Sequence, residues 1–521
     1  MDFKLVIVVL FMYYVRPQDW VGGMSGLNLM KPLMGLTLIA MFTRRRGFSA
    51  GMLVRTPLDW AMVAYAAYIV FTAPDGQRPL STIIIFVAYF FVTSQALVTP
   101  RRLSIYLRCW LACILIVAAM AVMSVYGIDL TGAQELTNAV PEKPRLVLNT
   151  YLFKNANSLG HTVVIAIPLA YLLLFWKRPI FSKLLAVLAV LLAAYCVYLT
   201  KSKGAYLVGG CLVVASVIVG RHWIFQTIAI FLAATIGWAG LSQLPRMTQI
   251  ASARQDEAIM GRMLAWEQAR FVSKESNTGE GFKNFKPLIY FDNEEISKAT
   301  HSSYVLVGAE LGRFGMFFFL AVLFSSCRIL LLSRPKRLED ERSRKAMFIL
   351  LLAYLLSGWL IDRSYHMEYF LLAGAVAAYH RRLGIEAGIL DPDTERVMDE
   401  KYESEQSPER EDDEIELTEA APPEPVAVAD DGRSPARSPH FSGPALAYSA
   451  TSSSPLLREE GGFRSMSEVD TSAVAEQAIE EELAQRAYWR RFGIIDILLV
   501  VLCCKIVFEI WDYLLRIYFE H

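Results

Sequence analysis

The sequence lacks the short motifs that mark many metal-dependent and nucleotide-dependent enzymes. It contains no HExxH zinc motif and no GxxxxGK[ST] phosphate-binding loop. Its seven cysteines fall in or beside apolar runs, without the spacing of zinc ligands. We interpret them as small residues that pack in a membrane rather than as disulfides or a metal site.

The sequence also lacks a net charge. The 51 basic and 51 acidic residues cancel, so net charge gives no indication of nucleic-acid binding. Hydrophobic residues make up 54% and charged residues 20% of the chain, and the mean hydropathy is +0.36. Many apolar runs approach the roughly 20 residues that a helix needs to cross a bilayer. Because lipid cannot satisfy backbone polar groups, we expect these runs to be helices of an all-α, polytopic membrane bundle.

The apolar runs predict about twelve transmembrane helices within residues 1–383. No small-residue cleavage site follows the first run, so we expect that run to remain as the first helix. The runs lie near residues 3–15, 27–42, 58–73, 80–98, 104–127, 159–175, 183–200, 204–220, 223–242, 303–326, 346–362 and 366–380.

Basic residues follow every even-numbered run, as Arg44, Arg101 and Lys177 illustrate. Positive charge favours the cytoplasmic side, which predicts a cytoplasmic N-terminus. The two long connections near 128–158 and 243–302 then face outward. The second contains IMGRMLAWEQARF, which has a helical apolar stripe, and SNTGEGFKNF, which is typical of a turn.

The composition changes after the last predicted bundle helix. Residues 384–485 are acidic, rich in proline and serine and poor in aromatics, which predicts a disordered cytoplasmic tail. Residues 486–521 contain a final apolar run, 494–518, that carries several charges. We expect this run to be either a transmembrane helix with a charged seam or an amphipathic helix in the membrane interface.

One polar-to-apolar junction, THSSYVLVGAELGRFG at 300–315, carries a histidine and three glycines. On a continuous helix, His301, Gly308, Gly312 and Gly315 share one face, where small residues allow another helix to approach closely. On that helix Glu310 points the opposite way and can pair with Arg313. His301 is then either a functional imidazole at the outer surface or an ordinary polar residue at a helix end.

Further cations are predicted on the same outer side of the membrane. A cluster of cations beside a titratable imidazole suggests an anionic, lipid-linked ligand such as a diphosphate. The alternative is ordinary loop solubility with lipid headgroup contact. The cations predicted on this outer side are Lys201, Lys203, Arg254, Arg262, Arg270 and Arg363.

Four segments in the same order resemble the O-antigen ligase and polymerase superfamily, over roughly residues 100–380. YVRPQDW (14–20) is similar to a subset of these proteins, without an assigned chemistry. The four segments are KNANSLGHTVVIAIPLAYLL (154–173), LTKSKGAYL (199–207), GRMLAWEQARF with GEGFKNF (261–285), and His301-Ser302 followed by Gly312 and Gly315.

This resemblance implies an enzyme of the bacterial inner membrane whose site faces the periplasm or exterior. Such enzymes transfer a glycan from a polyprenyl diphosphate carrier to an acceptor hydroxyl of lipid A core, glycan or protein. They need neither metal nor cofactor, because the diphosphate is already the leaving group. The resemblance implies that His301 activates the acceptor or orients the donor, and that Arg262 contacts the diphosphate. Lys203 stands where the family usually has arginine, and Arg254 is a further candidate without a motif match.

Three other functions stay open from the sequence. A polymerase shares these motifs and differs from a ligase in its acceptor, with ligase slightly favoured. A lipid-linked glycan transporter would carry charges along the bundle interior. A scaffold would use the acidic tail to recruit a cytoplasmic partner.

Overall fold

The computed structural model describes residues 2–24, 26–27, 29–44, 53–73, 77–138, 144–219, 221–222, 224–231, 235, 257–291, 294–297, 299–386 and 493–519. Arg254 lies outside these described residues, and so does most of the predicted acidic tail, from residue 387 onward. The division of the chain into domains therefore remains a prediction.

The described part of the chain is almost entirely helical. Among the described residues, the strands form one short antiparallel hairpin, β1 (Leu288–Phe291) with β2 (Glu294–Ser297), in which Leu288 pairs with Ser297. The helices are α1 (Asp2–Tyr14), α2 (Met30–Arg44), α3 (Pro57–Phe71), α4 (Gln77–Ala96), α5 (Pro100–Val125), α6 (Ala133–Thr137), α7 (Ala156–Val163), α8 (Ala166–Ala170), α9 (Ile180–Thr200), α10 (Lys203–Ile218), α11 (Glu257–Glu275), α12 (Ser303–Glu310), α13 (Gly312–Leu332), α14 (Leu338–Ser357), α15 (Met367–Glu386) and α16 (Ile494–Phe519).

Four segments of the described chain are long and apolar enough to cross a membrane by length and composition. They are Pro100–Val125, Ala156–Phe175, Ile180–Thr200 and Gly312–Leu332. Shorter apolar helices accompany them, such as Pro57–Phe71 and Lys203–Ile218. A membrane protein is supported, whereas the count of about twelve spans is not confirmed and the sidedness remains a prediction.

Short polar residues fix where several helices begin. Thr56 and Asp59 form a reciprocal capping box at the start of α3. Thr99, Ser202 and Ser302 cap α5, α10 and α12 by accepting from a backbone N–H of the first turn. The caps fix the backbone at the start of α10, which begins with Lys203, and at the start of α12, just after His301.

Aromatic side chains fill the centre of the bundle, where α15 packs on α4 and α13 packs on α3. The rings of Phe319 and Tyr369 are stacked with centroids 5.2 Å apart, and Tyr65 meets both of them edge-on or tilted at 5.9 and 5.8 Å. Tyr354 adds a fourth ring 5.5 Å from Tyr369. This cluster joins α3, α13, α14 and α15 at one level.

The run predicted as one helix over 303–326 is two helices, α12 and α13. Gly312 adopts a left-handed φ of 64°, and a side chain there would overlap the backbone carbonyl of Asn277, which follows α11. His301 has a φ of 51° and precedes the cap residue Ser302, so it is outside the helix. The prediction that His301 and the three glycines share one helix face is therefore wrong, because the helix breaks at Gly312, where the Asn277 backbone packs closely.

Each of the three glycines still admits a close neighbour, although the neighbours differ. A Cβ on Gly308 would lie 2.8 Å from the Trp511 ring of α16. A Cβ on Gly315 would overlap the Leu311 side chain, and one on Gly312 the Asn277 carbonyl. These glycines therefore serve three separate contacts rather than one continuous helix seam.

Gly312→Ala tests the helix break. We expect it to lower the free energy of unfolding by about 1–3 kcal/mol, because alanine meets both a positive φ and the Asn277 carbonyl. Thermal unfolding of the detergent-solubilised protein measures the change. Gly210→Ala is the matched control, since a Cβ at Gly210 has no neighbour within 4 Å. Equal melting temperatures for the two variants would contradict the prediction.

Candidate functional site

The turn between α14 and α15, residues 357–363, contacts all four motif segments and is called the 357–363 hairpin below. At the start of α12, its Gly358 carbonyl accepts hydrogen bonds from Ser303 N at 2.7 Å and Ser302 Oγ at 3.1 Å. Ser303 Oγ in turn donates to the Ile361 carbonyl at 3.2 Å and accepts from Arg363 N at 2.8 Å. The backbone beside His301 is therefore fixed to the hairpin.

The same hairpin contacts α7 and the turn before α10. Ser357 Oγ lies 3.0 Å from His161 Nδ1, and both side chains are buried. A Cβ on Gly204 would lie 2.7 Å from His161 Nε2 and 3.1 Å from Leu360 Cδ1. The turn that carries Lys203 is thus packed directly against His161 and the hairpin.

Helix α11 reaches the hairpin through tryptophans. The Trp359 ring lies 6.1 Å from the Trp266 ring of α11 and 4.7 Å from the Tyr304 ring of α12. Trp266 Nε1 donates a 2.7 Å hydrogen bond to the Thr300 carbonyl, adjacent to His301. Arg262 lies one helical turn before Trp266, so α11 carries it beside the His301 segment.

His301 is partly exposed, whereas Thr300 and Ser302 on either side are 3% and 0% exposed. Its left-handed φ is uncommon for a residue with a side chain and is held by the buried neighbours. Strained backbone of this kind persists only where surrounding contacts fix it, and such positions cluster at functional sites. The imidazole is therefore presented at the surface from a rigid segment.

The other predicted site residues lie on elements that converge at the hairpin. Lys203 is the first residue of α10, and its Nζ is buried. Arg262 lies on α11, one helical turn before Trp266, whose ring contacts Trp359 of the hairpin. Lys203, Arg262 and His301 are thus carried to one region, and Arg254 is outside the described residues.

Two members of the predicted cation cluster have structural partners. Arg363 is 7% exposed and binds Glu368 at 2.5 Å, Thr162 Oγ1 at 2.5 Å and the Ser158 carbonyl at 3.0 Å. Arg270 forms an ion pair with Asp512 at 2.7 Å. Both arginines of the predicted cation cluster are therefore paired with carboxylates.

The sequence did not single out Arg145 or His161 as site residues. Arg145 donates to Asn157 Oδ1 at 2.7 Å and to the Thr200 carbonyl at 3.1 Å, and Ser202 Oγ donates to the same Asn157 oxygen at 2.9 Å. These bonds join α7 to the turn that carries Lys203. The available signal was Asn157 and His161 at a four-residue spacing in one motif, which puts both on one helix face.

The YVRPQDW segment has a structural role that its sequence did not reveal. Arg16 pairs with Asp19 at 2.6 Å and lies over the Tyr151 ring at 5.0 Å. Asp19 Oδ2 also accepts from Tyr151 N at 2.8 Å. The segment therefore holds the connection before α7 and so stabilises the approach to the site.

A loop after α11, residues 276–285, packs on the end of α12 at Glu310. Gly281 N donates to the Glu310 carbonyl at 2.7 Å, and Glu280 N donates to the Ala309 carbonyl at 3.0 Å. The Glu310 side chain is 3% exposed and contacts Lys283 and Tyr365, while Arg313 is exposed. The predicted pairing of Glu310 with Arg313 is therefore wrong.

Burial raises the pKa of Glu310 to about 7, and the negative charge of Asp362 adds to this effect. Hydrogen bonds from the Lys283 backbone and Tyr365 oppose it in part, as does the Lys283 charge. The folded chain thus binds a proton at Glu310 that the unfolded chain releases near pH 4.5. Its contribution to stability is complete below pH 4.5 and is lost as pH rises through 7.

Glu310→Gln should remove this pH dependence, because glutamine resembles the protonated acid. For the unsubstituted protein we expect the melting temperature to fall between pH 5.5 and pH 8, and for the variant we expect a smaller fall. Differential scanning fluorimetry in detergent at both pH values measures it. The exposed Glu275→Gln is the control and should keep the full fall. An undiminished fall in Glu310→Gln would contradict the prediction.

Among the described residues, no group of three or more histidines, cysteines, aspartates and glutamates is arranged to hold a metal ion.

Comparison with known proteins gives one finding. Residues 188–320 match the family model described as O-Antigen ligase. This range includes Lys203, Arg262, His301 and the three glycines, and it excludes His161 and the 357–363 hairpin. No curated protein matches the chain.

Proposed function

Because the chain belongs to the O-antigen ligase superfamily, we propose that it transfers a glycan from a polyprenyl diphosphate carrier to an acceptor hydroxyl. The acceptor is lipid A core, a glycan or a protein side chain, and the site faces outward from the bacterial inner membrane. The match covers the segments that carry the proposed catalytic and binding residues. The proposal extends this family relationship to a donor, an acceptor class and a sidedness.

The convergence at the 357–363 hairpin is the observation that carries the proposal. Segments from residues 157, 203, 262 and 301, far apart in the sequence, all pack against this one turn or its direct neighbours. A two-substrate transfer requires an anion-binding group and a proton acceptor at one place. If the hairpin only packed helix ends together, the elements that meet there would not need to carry Lys203, Arg262 and His301.

In the proposed reaction, the acceptor oxygen attacks the anomeric carbon of the carrier-linked sugar. The new carbon–oxygen bond forms as the bond from that carbon to the diphosphate breaks, and the carrier diphosphate leaves with the electron pair. His301 takes the acceptor proton, which suits an imidazole because it titrates near neutral pH. Arg262 and Lys203 bind the diphosphate, and Arg254 is a further candidate for this role.

The diphosphate is a stable anion when it leaves, so we propose that the transfer needs no metal ion, nucleotide or other cofactor. Arginine offers a bidentate fork to phosphate oxygens, whereas lysine offers a single point charge. We therefore assign Arg262 the larger share of diphosphate binding. The buried Lys203 nitrogen adds a second positive charge to this site.

A polymerase that uses a second glycan repeat as acceptor remains the alternative, and a surface-glycan gel from a deletion strain separates the two. Loss of all long glycan with accumulation of carrier-linked chains supports a ligase. Single-repeat caps support a polymerase. Transport of a lipid-linked glycan is a further alternative, and it predicts that purified protein has no transfer activity.

His301→Ala should lower glycan transfer by about 100-fold or more, because it removes the proposed general base. Arg262→Lys should lower transfer by about tenfold, because lysine keeps the charge and loses the fork. The measurement is transfer from a synthetic polyprenyl diphosphate glycan to acceptor by purified protein in nanodiscs.

His222→Ala is the matched control, since His222 is exposed and lies away from the hairpin contacts. It should keep full activity, and all variants should elute as folded protein with unchanged melting temperature. Full transfer by folded His301→Ala would rule out the general-base role. Transfer absent from every sample, with flipping of the donor detected instead, would favour transport.

A further inference from the structure

The C-terminal helix α16 packs along α13, although it carries charges that break its apolar run. At one end, Asp496 pairs with Arg328 of α13 at 3.3 Å. At the other end, Trp511 is fully buried against Gly308. Contacts near both of its ends therefore hold α16 against α13 and α12.

Near its C-terminal end, α16 contacts α11 through a geometrically specific ion pair. Arg270 Nε donates to Asp512 Oδ1 at 2.8 Å, and Arg270 Nη2 donates to Oδ2 at 2.7 Å. The guanidinium also lies over the Phe508 ring at 4.8 Å and the Trp511 ring at 5.6 Å. Lys274 adds a second cation 3.8 Å from Asp512. Paired bonds and two ring contacts fix the rotation of α11, which one charge contact alone would not do.

The same α11 helix carries Arg262. Its buried face packs against α16. Trp266 and Trp511 belong to one buried cluster with Val305 and Ala309 of α12. Trp266 also binds the Thr300 carbonyl beside His301. Helix α11 is therefore held between α16 on one side and the His301 segment on the other.

We propose that α16 positions α11, and through it Arg262, against His301, with Asp512 and Trp511 as positioning residues. This inference rests on the proposed function, because Arg262 is its object. A misplacement of reacting groups by about 1 Å is enough to cost large factors in rate. A helix outside the matched range 188–320 thus becomes part of the working site.

Asp512→Asn in the full-length protein tests the proposal. We expect kcat for glycan transfer to fall about tenfold with little change in KM for the acceptor, because Arg262 is displaced rather than removed. Asp496→Asn is the matched control, since it breaks the pair at the other end of α16 and should leave kcat unchanged. The charge swap Arg270→Asp with Asp512→Arg should recover most of the lost activity.

A double-mutant cycle with Arg262→Lys separates positioning from general destabilisation. If α16 acts through Arg262, Asp512→Asn should lower kcat by less than about twofold in the Arg262→Lys background. Independent multiplication of the two losses would overturn the proposal, as would equal activities of Asp512→Asn and Asp496→Asn.

Failure of the underlying function has a different result. Full activity of Arg262→Ala would remove Arg262 from the reaction and with it the basis of the inference. A large loss in Arg262→Ala together with full activity in Asp512→Asn would leave the proposed function intact and overturn only the role of α16. Size-exclusion profiles and melting temperatures of all variants establish that they are folded.

Discussion

The carbonyl of Gly358 is the contact on which the site depends most. It accepts both Ser303 N and Ser302 Oγ, so the end of α14 also fixes the beginning of α12. A buried carbonyl and a buried helix N-terminus each need a partner, and here each satisfies the other. His301, one residue before the cap, is consequently held in a left-handed conformation and is partly exposed.

Buried polar bonds extend this constraint across the bundle. Trp110 Nε1 donates to Tyr14 OH, Tyr14 OH donates to Glu368, and Glu368 pairs with Arg363 of the hairpin. Removal of one partner from such a chain leaves another buried polar group without a hydrogen bond, so the chain favours a single arrangement. Helices α1, α5 and α15 thereby support the hairpin, although none of them carries a proposed catalytic group.

Helix α11 and the loop after it are held mainly by packing against other helices. Helix α11 has a polar face, and it is stable here because Trp266, Ala269 and Arg270 find partners on α12 and α16. The loop 276–285 likewise donates hydrogen bonds to the buried Ala309 and Glu310 carbonyls at the end of α12. Asn277, at the start of this loop, packs against Gly312, where α13 begins.

The sequence alone determined the helical class, most helix positions, the helix within the long polar connection 243–302 and the family resemblance. Apolar length and period are local properties, and the resemblance rests on motif order, so both can be read without coordinates. The residues Lys203, Arg262 and His301 were proposed as site residues in the same way, through motifs. The number of membrane spans could not be fixed, because several apolar runs are short or interrupted.

Only the tertiary structure decided which predicted groups stay available and which are used internally. In the sequence, Arg270 and Arg363 were predicted as outward-facing cations in the same way as Arg262. Their carboxylate partners, Asp512 on α16 and Glu368 on α15, lie outside the four motif segments. The break at Gly312 likewise depends on Asn277, a residue 35 positions earlier whose approach no helical period encodes. These ion pairs and this helix break depend on contacts between residues far apart in the sequence. A local sequence pattern does not indicate which distant residue will form such a contact.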